Sequence, residues 1–332
     1  MRRLCNLIHC WFVSTIAFVI ALLLAPAAFA DDTIRVVAQK TGTFAWELNV
    51  ARRHGLDKEA QLRIETLELA SPEAGKIALR GGSADVVVSD WTWVSRERTL
   101  GAGLTFYPYS TALGAIMVSP RSSIRNLTDL RGKTLAVAGG PIDKSWLLLR
   151  GALMQDRLNL QSEAKIVYGA PTLLAEKTAA GEFEATLNYW NICVGLEARG
   201  LRRLAEVADL LPKLGIEGRP AMIGYVFDEK WGAQHRDALT RFLDVSRKAK
   251  EILASSDTEW ERIAPLVGTT DPAMLKLYRG RYRDGIPGRS VAQDEADARA
   301  LYGVLAELGG SALVGPAKEL APGTFYQPQP AN

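Results

Sequence analysis

The sequence predicts an α/β protein with two α/β domains and a helical C-terminal part. Over the first two thirds of the chain, short apolar runs typical of strands alternate with helical patterns, which favours largely parallel sheets. Beyond Asp228 the apolar residues repeat at helical spacing instead, as in Leu239, Phe242 and Leu243. The predicted strands span residues 34–38, 62–69, 85–89, 113–118, 134–138, 164–168, 185–187 and 222–227.

Residues 1–30 have the features of a secretory signal peptide. Two arginines follow the initiator methionine, an apolar run covers residues 10–24, and Ala28-Phe29-Ala30 places small residues before two aspartates. The alternative, a membrane anchor, is disfavoured because the run is only about 15 residues long. We therefore expect the protein to be exported, with cleavage after Ala30.

The composition of the expected mature chain excludes several classes of protein. Its length of about 300 residues, roughly half of them apolar, is enough for a large core or for two domains. Loss of Arg2 and Arg3 brings the formal net charge of +3 close to neutral. A nearly neutral chain is not typical of proteins that bind nucleic acid electrostatically. Cys193 remains as the single cysteine, which excludes an intramolecular disulfide and a thiolate metal site.

Two strand-like runs, 111–118 and 221–227, are long and lack a tight loop of the kind that binds ligands. They bracket about a hundred residues, which is enough for a complete α/β unit. We interpret them as two crossings of a hinge. This interpretation predicts a discontinuous domain 1 of residues 31–115 and 222–332, and a domain 2 of residues 116–221. The alternative is a single large sheet with no hinge.

Candidate ligand contacts follow the predicted strands, because ligands of parallel α/β sheets bind where the strands end. After the strand at 134–138 comes Gly139-Gly140-Pro141, and a helix begins near residues 143–145. Such a loop directs backbone N–H groups and the positive helix end at a small anionic or polar ligand. The alternative is an ordinary connection without a ligand. The matching segments elsewhere are 39–46, 70–73, 89–93, 169–172 and 188–191.

Five of the seven tryptophans expected in the mature chain lie within a few residues of a strand end. Aromatic faces beside small polar residues suit an organic ligand that is planar or carries a cationic group. For any single ring, core packing is the alternative. Trp91 and Trp93 alternate in sequence, so we expect them to face opposite ways and at most one to touch a ligand. The five are Trp46, Trp91, Trp93, Trp146 and Trp190.

Three polar residues at these strand ends each admit two roles. Ser71 before Pro72 is typical of a helix N-cap, and its hydroxyl is also placed to reach a ligand. Asp90 either pairs with a ligand amine, with Lys40 or with Lys144, or it caps a helix. Lys144 favours an anionic ligand unless it is a solvated surface lysine.

Arrangements that could carry out catalysis are scarce in this sequence. His54 and His235 lie in charged, helix-like surroundings, distant in sequence from any strand-end serine, cysteine or acid cluster. The chain contains no nucleophile elbow, Walker loop, dinucleotide fingerprint or closely spaced metal ligands. We therefore expect no enzyme, no catalytic residues, no cofactor and no metal.

Three segments carry a resemblance to a known family. Residues 77–86 are similar to the pattern A-L-x-x-G-x-x-D before a strand, and residues 124–136 to I-x-x-L-x-D-L-x-G-K-x-L-A. Residues 180–185 form the third segment. With the leader, they resemble the periplasmic solute-binding proteins of ABC importers, in the branch with nitrate-, sulfonate-, taurine- and thiamine-pyrimidine-binding members.

The resemblance implies the type II periplasmic-binding-protein fold, with two α/β lobes joined by a two-segment hinge. It implies a periplasmic monomer that binds a small organic solute, sulfonate-, pyrimidine- or aromatic-like, and delivers it to an ABC permease with a cytoplasmic ATPase. Asp90 and the tryptophans look unlike a site for a bare inorganic anion such as nitrate. The contacts that carry over are Thr41, Gly42, Thr43, Phe44, Trp46, Ser71, Asp90, Trp91, Gly140, Ser145, Trp146, Asn188, Tyr189 and Trp190.

Two other functions stay open. A binding module with the same hinged pocket serves equally well to report a ligand to a sensor or a periplasmic partner. Some thiamine-precursor synthases resemble this fold as well, but with a cysteine-rich motif and a histidine that this sequence lacks.

Overall fold

Three β-sheets organise the computed structural model, which describes residues 32–39, 42–69 and 71–328. The expected leader, its cleavage site and the candidate Thr41 lie outside the described residues. The strands are β1 (Asp32–Ala38), β2 (Leu62–Glu68), β3 (Val87–Asp90), β4 (Leu104–Ser110), β5 (Ala115–Val118), β6 (Thr134–Ala138), β7 (Lys165–Gly169), β8 (Ala185–Asn188), β9 (Arg202–Glu206) and β10 (Ile223–Asp228).

Sheet set 1 consists of β1 to β4 together with β10. β1 pairs with β2, and β10 lies between β3 and β4 and is antiparallel to both. Ile223 of β10 lies opposite Asp90 of β3 and Ser110 of β4. A parallel bridge between Val36 and Val86 links β1 to the chain just before β3. The chain therefore leaves sheet set 1 after β4 and returns to it with β10.

Sheet set 2 is one five-stranded sheet with the order β7-β6-β8-β5-β9. β6 is parallel to β7 and β8, whereas β5 is antiparallel to β8 and β9. The expectation of largely parallel sheets is wrong for β5 and β10. Ala115, the first residue of β5, lies opposite Asn188, the last residue of β8, so β5 enters the sheet at the edge where β8 ends.

Each predicted strand overlaps an observed one, but β4 and β9 were not predicted. β9 has the sequence Arg-Arg-Leu-Ala-Glu and is half-buried along its whole length, so it lacks the apolar pattern of a core strand. β4 contains Pro108, which weakens a strand pattern because proline cannot donate to the ladder.

Several of the α-helices begin at a side chain that caps them. Asp143 accepts a hydrogen bond from the Trp146 N–H at the start of α5, and Ser71 accepts one from the Ala74 N–H at the start of α3. The helices are α1 (Thr43–Arg53), α2 (Leu56–Glu59), α3 (Pro72–Arg80), α4 (Trp91–Thr99), α5 (Lys144–Gln155), α6 (Leu160–Glu163), α7 (Pro171–Ala179), α8 (Trp190–Ala198), α9 (Glu229–Gln234), α10 (Arg236–Ser255), α11 (Asp257–Val267), α12 (Pro272–Asp284) and α13 (Val291–Val314).

The C-terminal part is helical, as the spacing predicts, and its last two helices contact both sheet sets. Arg281 of α12 pairs with Glu206 of β9 at 2.6 Å. α13 packs on α5, where the Arg150 guanidinium donates to the Leu308 carbonyl, and on α4, where Arg96 donates to the Ala312 carbonyl. None of the helices in the described ranges is long and apolar enough to cross a membrane.

Candidate functional site

The end of β3 and the start of α5 meet at an ion pair. Asp90 ends β3 and caps α4, and Lys144 is the first residue of α5, which follows β6. The Lys144 Nζ lies 2.9 Å from the Asp90 Oδ2. The Lys144 side chain is 21% exposed and that of Asp90 is 8% exposed, so the pair is largely removed from water. The end of a strand in sheet set 1 thus contacts the start of the helix that follows a strand of sheet set 2.

Asp90 performs two of the roles that the sequence left open. Its Oδ1 accepts hydrogen bonds from the Trp93 N–H at 2.9 Å and from the Thr92 hydroxyl, which caps α4, while its Oδ2 pairs with Lys144. Burial acts to raise the pKa of Asp90, but the charges of Lys144 and Lys76 and the hydrogen bonds lower this pKa to about 2. Asp90 is therefore an ionised carboxylate at neutral pH.

Asp143 and Tyr189 come together over the backbone of Gly139. Gly139 has φ +81°, and a Cβ placed there would lie 2.5 Å from the Tyr189 hydroxyl and 2.8 Å from the Asp143 Oδ2. Burial raises the pKa of Asp143 to about 6, although the Lys144 charge and two backbone N–H groups act against it. The Tyr189 ring is 38% exposed. We call Asp90, Asp143, Lys144 and Tyr189 the strand-end cluster.

A small cavity is lined by Trp190, the residue that follows Tyr189 of the strand-end cluster in the sequence. Its lining includes Thr43, at the start of α1, which follows β1 of sheet set 1. It also includes Trp190, at the start of α8, which follows β8 of sheet set 2. Its volume of about 10 Å³ is roughly that of one water molecule. We call it the aromatic cavity, and its lining is Thr43, Glu47, Tyr109, Ser110, Ala112, Trp190, Lys250, Tyr282, Gly285 and Ile286.

A buried polar network forms one side of the aromatic cavity. The Glu47 Oε1 lies 2.6 Å from the Lys250 Nζ and accepts a hydrogen bond of 2.6 Å from the Tyr282 hydroxyl. The Lys250 Nζ lies 3.7 Å from the centroid of the Tyr109 ring, whose hydroxyl is 3.1 Å from the Thr43 Oγ1. Burial lowers the pKa of Lys250, although the charge of Glu47 acts to raise this pKa.

The sequence reasoning did not identify this network. A signal was present, because Glu47 stands between Trp46 and Leu48 on a helix whose neighbouring residues are apolar. A carboxylate on a buried helix face needs a partner, since an unpaired buried charge is costly. The partner Lys250 is 203 residues away in sequence, so no local pattern connects the two.

Four predicted aromatic contacts lie in the protein core instead of on an open surface. Trp91 and Trp146 are fully buried, and Trp91 packs beside Phe325. Trp46 is 2% exposed, donates its Nε1–H to the Leu266 carbonyl and packs edge-on against Trp260. The fourth, Phe44, packs edge-on against two tyrosines and is buried as well.

Trp91 and Trp93 lie on a helix, on which residues two positions apart are about 200° apart and so also face nearly opposite ways. α4 begins at Trp91, so both rings belong to its first turn, and both are buried. The Trp93 ring is also covered by a cation, because the Lys76 Nζ lies 5.2 Å from its centroid.

Three predicted polar residues hold loops at the strand ends. Ser71 caps α3. The buried Ser145 accepts a hydrogen bond of 3.0 Å from the Gly114 N–H, in the connector between β4 and β5. The buried Asn188 donates from its Nδ2 to the Pro171 carbonyl and accepts from the Tyr189 N–H.

Two predicted glycines stand at the loop edges. Gly42 is the N-cap of α1, where no side chain caps the helix, and Gly140 has φ +96° with open space where a Cβ would lie. Of the predicted contacts that the structure describes, Thr43 and Trp190 line the aromatic cavity, and Asp90 and Tyr189 belong to the strand-end cluster. Among the described residues, no three His, Cys, Asp or Glu side chains gather as a metal site.

Residues 46–259, more than half of the chain, match the family model described as NMT1/THI5 like. The chain belongs to the NMT1/THI5-like family. The resemblance predicted from the three sequence segments is confirmed by this match and by the solved structures that follow. No curated protein sequence matches this member of the NMT1/THI5-like family at a significant level.

Solved structures share the fold of this NMT1/THI5-like chain. The periplasmic aliphatic sulphonate binding protein SsuA from Escherichia coli superposes with a TM-score of 0.72 at 19% identity, covering 91% of this chain and 94% of SsuA. The alkanesulfonate-binding protein SsuA from Xanthomonas axonopodis pv. citri, bound to MOPS, gives a TM-score of 0.68 at 19% identity and covers 90% and 99%.

The periplasmic nitrate-binding protein NrtA from Synechocystis PCC 6803 gives a TM-score of 0.62 at 10% identity, covering 88% of this chain and 92% of NrtA. At these identities the likeness establishes the fold. The predicted type II periplasmic-binding-protein fold is confirmed. All three neighbours are binding proteins.

Proposed function

We propose that this chain is the substrate-binding component of an ABC-type import system, which captures a small organic solute between two lobes. The observation that carries the proposal is the contact between Asp90 and Lys144, which brings the end of β3 in sheet set 1 to the first residue of α5, the helix that follows β6 of sheet set 2. In open α/β folds, strand ends are where loops and helix N-termini converge on ligands. We propose that the two lobes separate at this contact when the protein opens, and we call the space that would form there the cleft.

The proposed lobes follow the two sheet sets, with domain 1 at residues 31–115 and 222–332 and domain 2 at residues 116–221. We propose that the connector that begins at Thr111 is one segment of the hinge, and its first N–H donates to the Gly285 carbonyl, which lies in the wall of the aromatic cavity. Separation of the lobes would move Trp190 away from Thr43 and enlarge the cavity between them. A hinge of this kind couples ligand binding to closure.

The proposed ligand is an organic solute with an aromatic or similarly planar part. Trp190 lines the aromatic cavity, and Tyr189, which precedes it in the chain, is partly exposed, so we propose that these rings stack on the ligand. The solved neighbours that share this fold include proteins described as binding sulfonates and nitrate. We propose that the protein is a periplasmic monomer that delivers its ligand to a permease with a cytoplasmic ATPase.

A thermal-shift screen of residues 31–332 tests the proposal, with sulfonates, pyrimidines, aromatic acids and amines as the panel. A ligand at a hundred times its Kd adds about 2.7 kcal/mol to the free energy of unfolding, which raises Tm clearly. The protein is first unfolded and refolded to remove any ligand carried over from expression. A panel without a single Tm increase would contradict the proposed function.

A pair of tryptophan variants then tests the location of the site. Trp190→Ala should weaken binding of the ligand found in the screen at least tenfold, because it removes the ring that lines the aromatic cavity. Trp231→Ala is the matched control, since Trp231 is also half-buried but stacks on His235 at the start of the C-terminal helices. An equal loss of affinity in both variants would contradict the placement of the site.

A further inference from the structure

Lys144 is the cation that a ligand anion at the strand-end cluster would approach. It begins α5, so its ammonium group adds to the positive end of that helix. In the structure this charge is already paired, because the Nζ lies 2.9 Å from Asp90 and both side chains are largely buried. A buried ammonium that is held by one carboxylate is not available to a second anion without breaking the first contact.

The second cation beside the cluster is also engaged. The Lys76 Nζ lies 3.8 Å from a Glu73 carboxylate oxygen and 5.2 Å from the centroid of the Trp93 ring. The charges of Asp143 and Glu73 both act on the Lys144 ammonium, in addition to that of Asp90. An anion placed beside Lys144 would therefore also be repelled by the charges of these two carboxylates.

The surfaces that remain open at the cluster suit a different kind of ligand. Tyr189 offers a partly exposed ring, and Trp190 follows it in the chain at the aromatic cavity. Aromatic faces attract cations and stack on uncharged planar groups. The Asp143 Oδ2 lies beside the Tyr189 hydroxyl over Gly139, where it can accept a hydrogen bond from a ligand N–H.

We propose that Asp90 sets the charge selectivity of the cleft: by holding Lys144 in an ion pair it excludes organic anions, so the ligand is an uncharged or cationic organic solute. This inference rests on the proposed function, because it concerns the same cleft. It separates this chain from its solved neighbours that are described as binding sulfonates, although the fold is shared.

The test measures anion binding to residues 31–332 by isothermal titration, with benzenesulfonate as the probe and benzamide as its uncharged counterpart. Wild-type protein should show no saturable binding of benzenesulfonate up to millimolar concentration. Asp90→Asn should gain affinity for benzenesulfonate at least tenfold, because it frees the Lys144 ammonium while asparagine keeps the cap of α4. The gain should disappear in the double variant Asp90→Asn, Lys144→Met.

Asp228→Asn is the matched control, because Asp228 is also an aspartate that caps a helix, at the start of α9. It makes the same change of charge without touching Lys144, so it should gain no affinity for benzenesulfonate. Asp90→Ser, whose hydroxyl can also cap α4, replaces Asp90→Asn if circular dichroism shows that the first variant does not fold.

Three results would overturn the inference: saturable binding of benzenesulfonate by the wild-type protein, no gain in the folded Asp90 variant, or a gain that survives loss of Lys144. These outcomes are distinct from failure of the proposed function. A wild-type protein that binds nothing in the broad panel contradicts the importer proposal, whereas the gain of anion binding in the Asp90 variant depends only on the charge of Lys144.

Discussion

The Lys250 ammonium lies 2.6 Å from the Glu47 carboxylate, in an ion pair that links α10 to α1 inside the protein. Glu47 is 2% exposed and Lys250 is 7% exposed, so each charge depends on the other for compensation. Because removing one partner leaves a buried unpaired charge, we expect Lys250→Met to lower the free energy of unfolding by about 3–5 kcal/mol. Urea denaturation of residues 31–332 provides the measurement.

The double variant Glu47→Leu, Lys250→Met serves as the internal comparison. It removes both charges, so it should recover part of the loss seen with Lys250→Met. Glu251→Gln, which breaks an exposed pair with Arg247 on the same helix, should cost at most about 1 kcal/mol. A loss in Lys250→Met no larger than that of Glu251→Gln would show that the buried pair is not a stability determinant.

The pKa of Asp143 predicts a loss of stability with rising pH. The folded carboxyl has its pKa raised to about 6, above the ordinary value near 4. Between these two values the folded state binds more protons than the unfolded state, so stability falls as pH rises from about 4 to about 6. The size of this fall is up to about 3 kcal/mol.

Asp143→Asn isolates this titration, because asparagine keeps the cap of α5 and does not titrate. Relative to the wild-type protein, the variant should gain stability steadily between pH 4 and pH 6 and no further above that range. Urea midpoints at pH 4, 5, 6 and 7 for both proteins provide the measurement. Parallel curves for the two proteins would argue against a raised pKa at Asp143.

Gly139 and Gly140 predict different costs for the same substitution. Both have positive φ, so alanine at either position should cost about 1–2 kcal/mol from backbone strain. Only Gly139→Ala also forces a Cβ against the Tyr189 hydroxyl and the Asp143 carboxylate, whereas at Gly140 the space is open. Gly139→Ala should therefore be the less stable variant in thermal unfolding.

The double variant Gly139→Ala, Tyr189→Phe checks the cause of that difference. Removing the hydroxyl relieves the closest contact, so part of the additional loss should return. If Gly139→Ala and Gly140→Ala lower Tm by the same amount, the close approach of Tyr189 to Gly139 does not affect the stability of the variant.

Cys193 should be unreactive in the folded protein. Its side chain is buried, and burial raises the pKa of its thiol to about 12, so the nucleophilic thiolate is rare at pH 8. We expect residues 31–332 to react with Ellman's reagent only at the rate of unfolding. Ser83→Cys, which adds a thiol at an exposed position, should release one equivalent of colour immediately. An equally fast reaction of Cys193 would place it at the surface.

Much of the local structure could be predicted from the sequence. The cap at Ser71, the strand Thr134–Ala138 and a helix that begins near residues 143–145 were predicted correctly, because capping and apolar patterns depend on neighbours within a few positions. The roles of the tryptophans could not be predicted in this way. Trp91 and Trp190 both follow strand ends, yet one is fully buried and the other lines a cavity, because segments far along the chain cover them differently.

The sequence by itself determined the α/β class, most of the strands, the helical C-terminal part and the family resemblance, since these depend on local hydrogen bonds and apolar periodicity. Only the tertiary structure decided that β10 returns between β3 and β4, that Asp90 pairs with Lys144 and that Glu47 pairs with Lys250. Pairings of this kind depend on which distant segments pack together. A charge at a strand end can cap a helix, bind a ligand or neutralise another charge, and its neighbours in space decide among these roles.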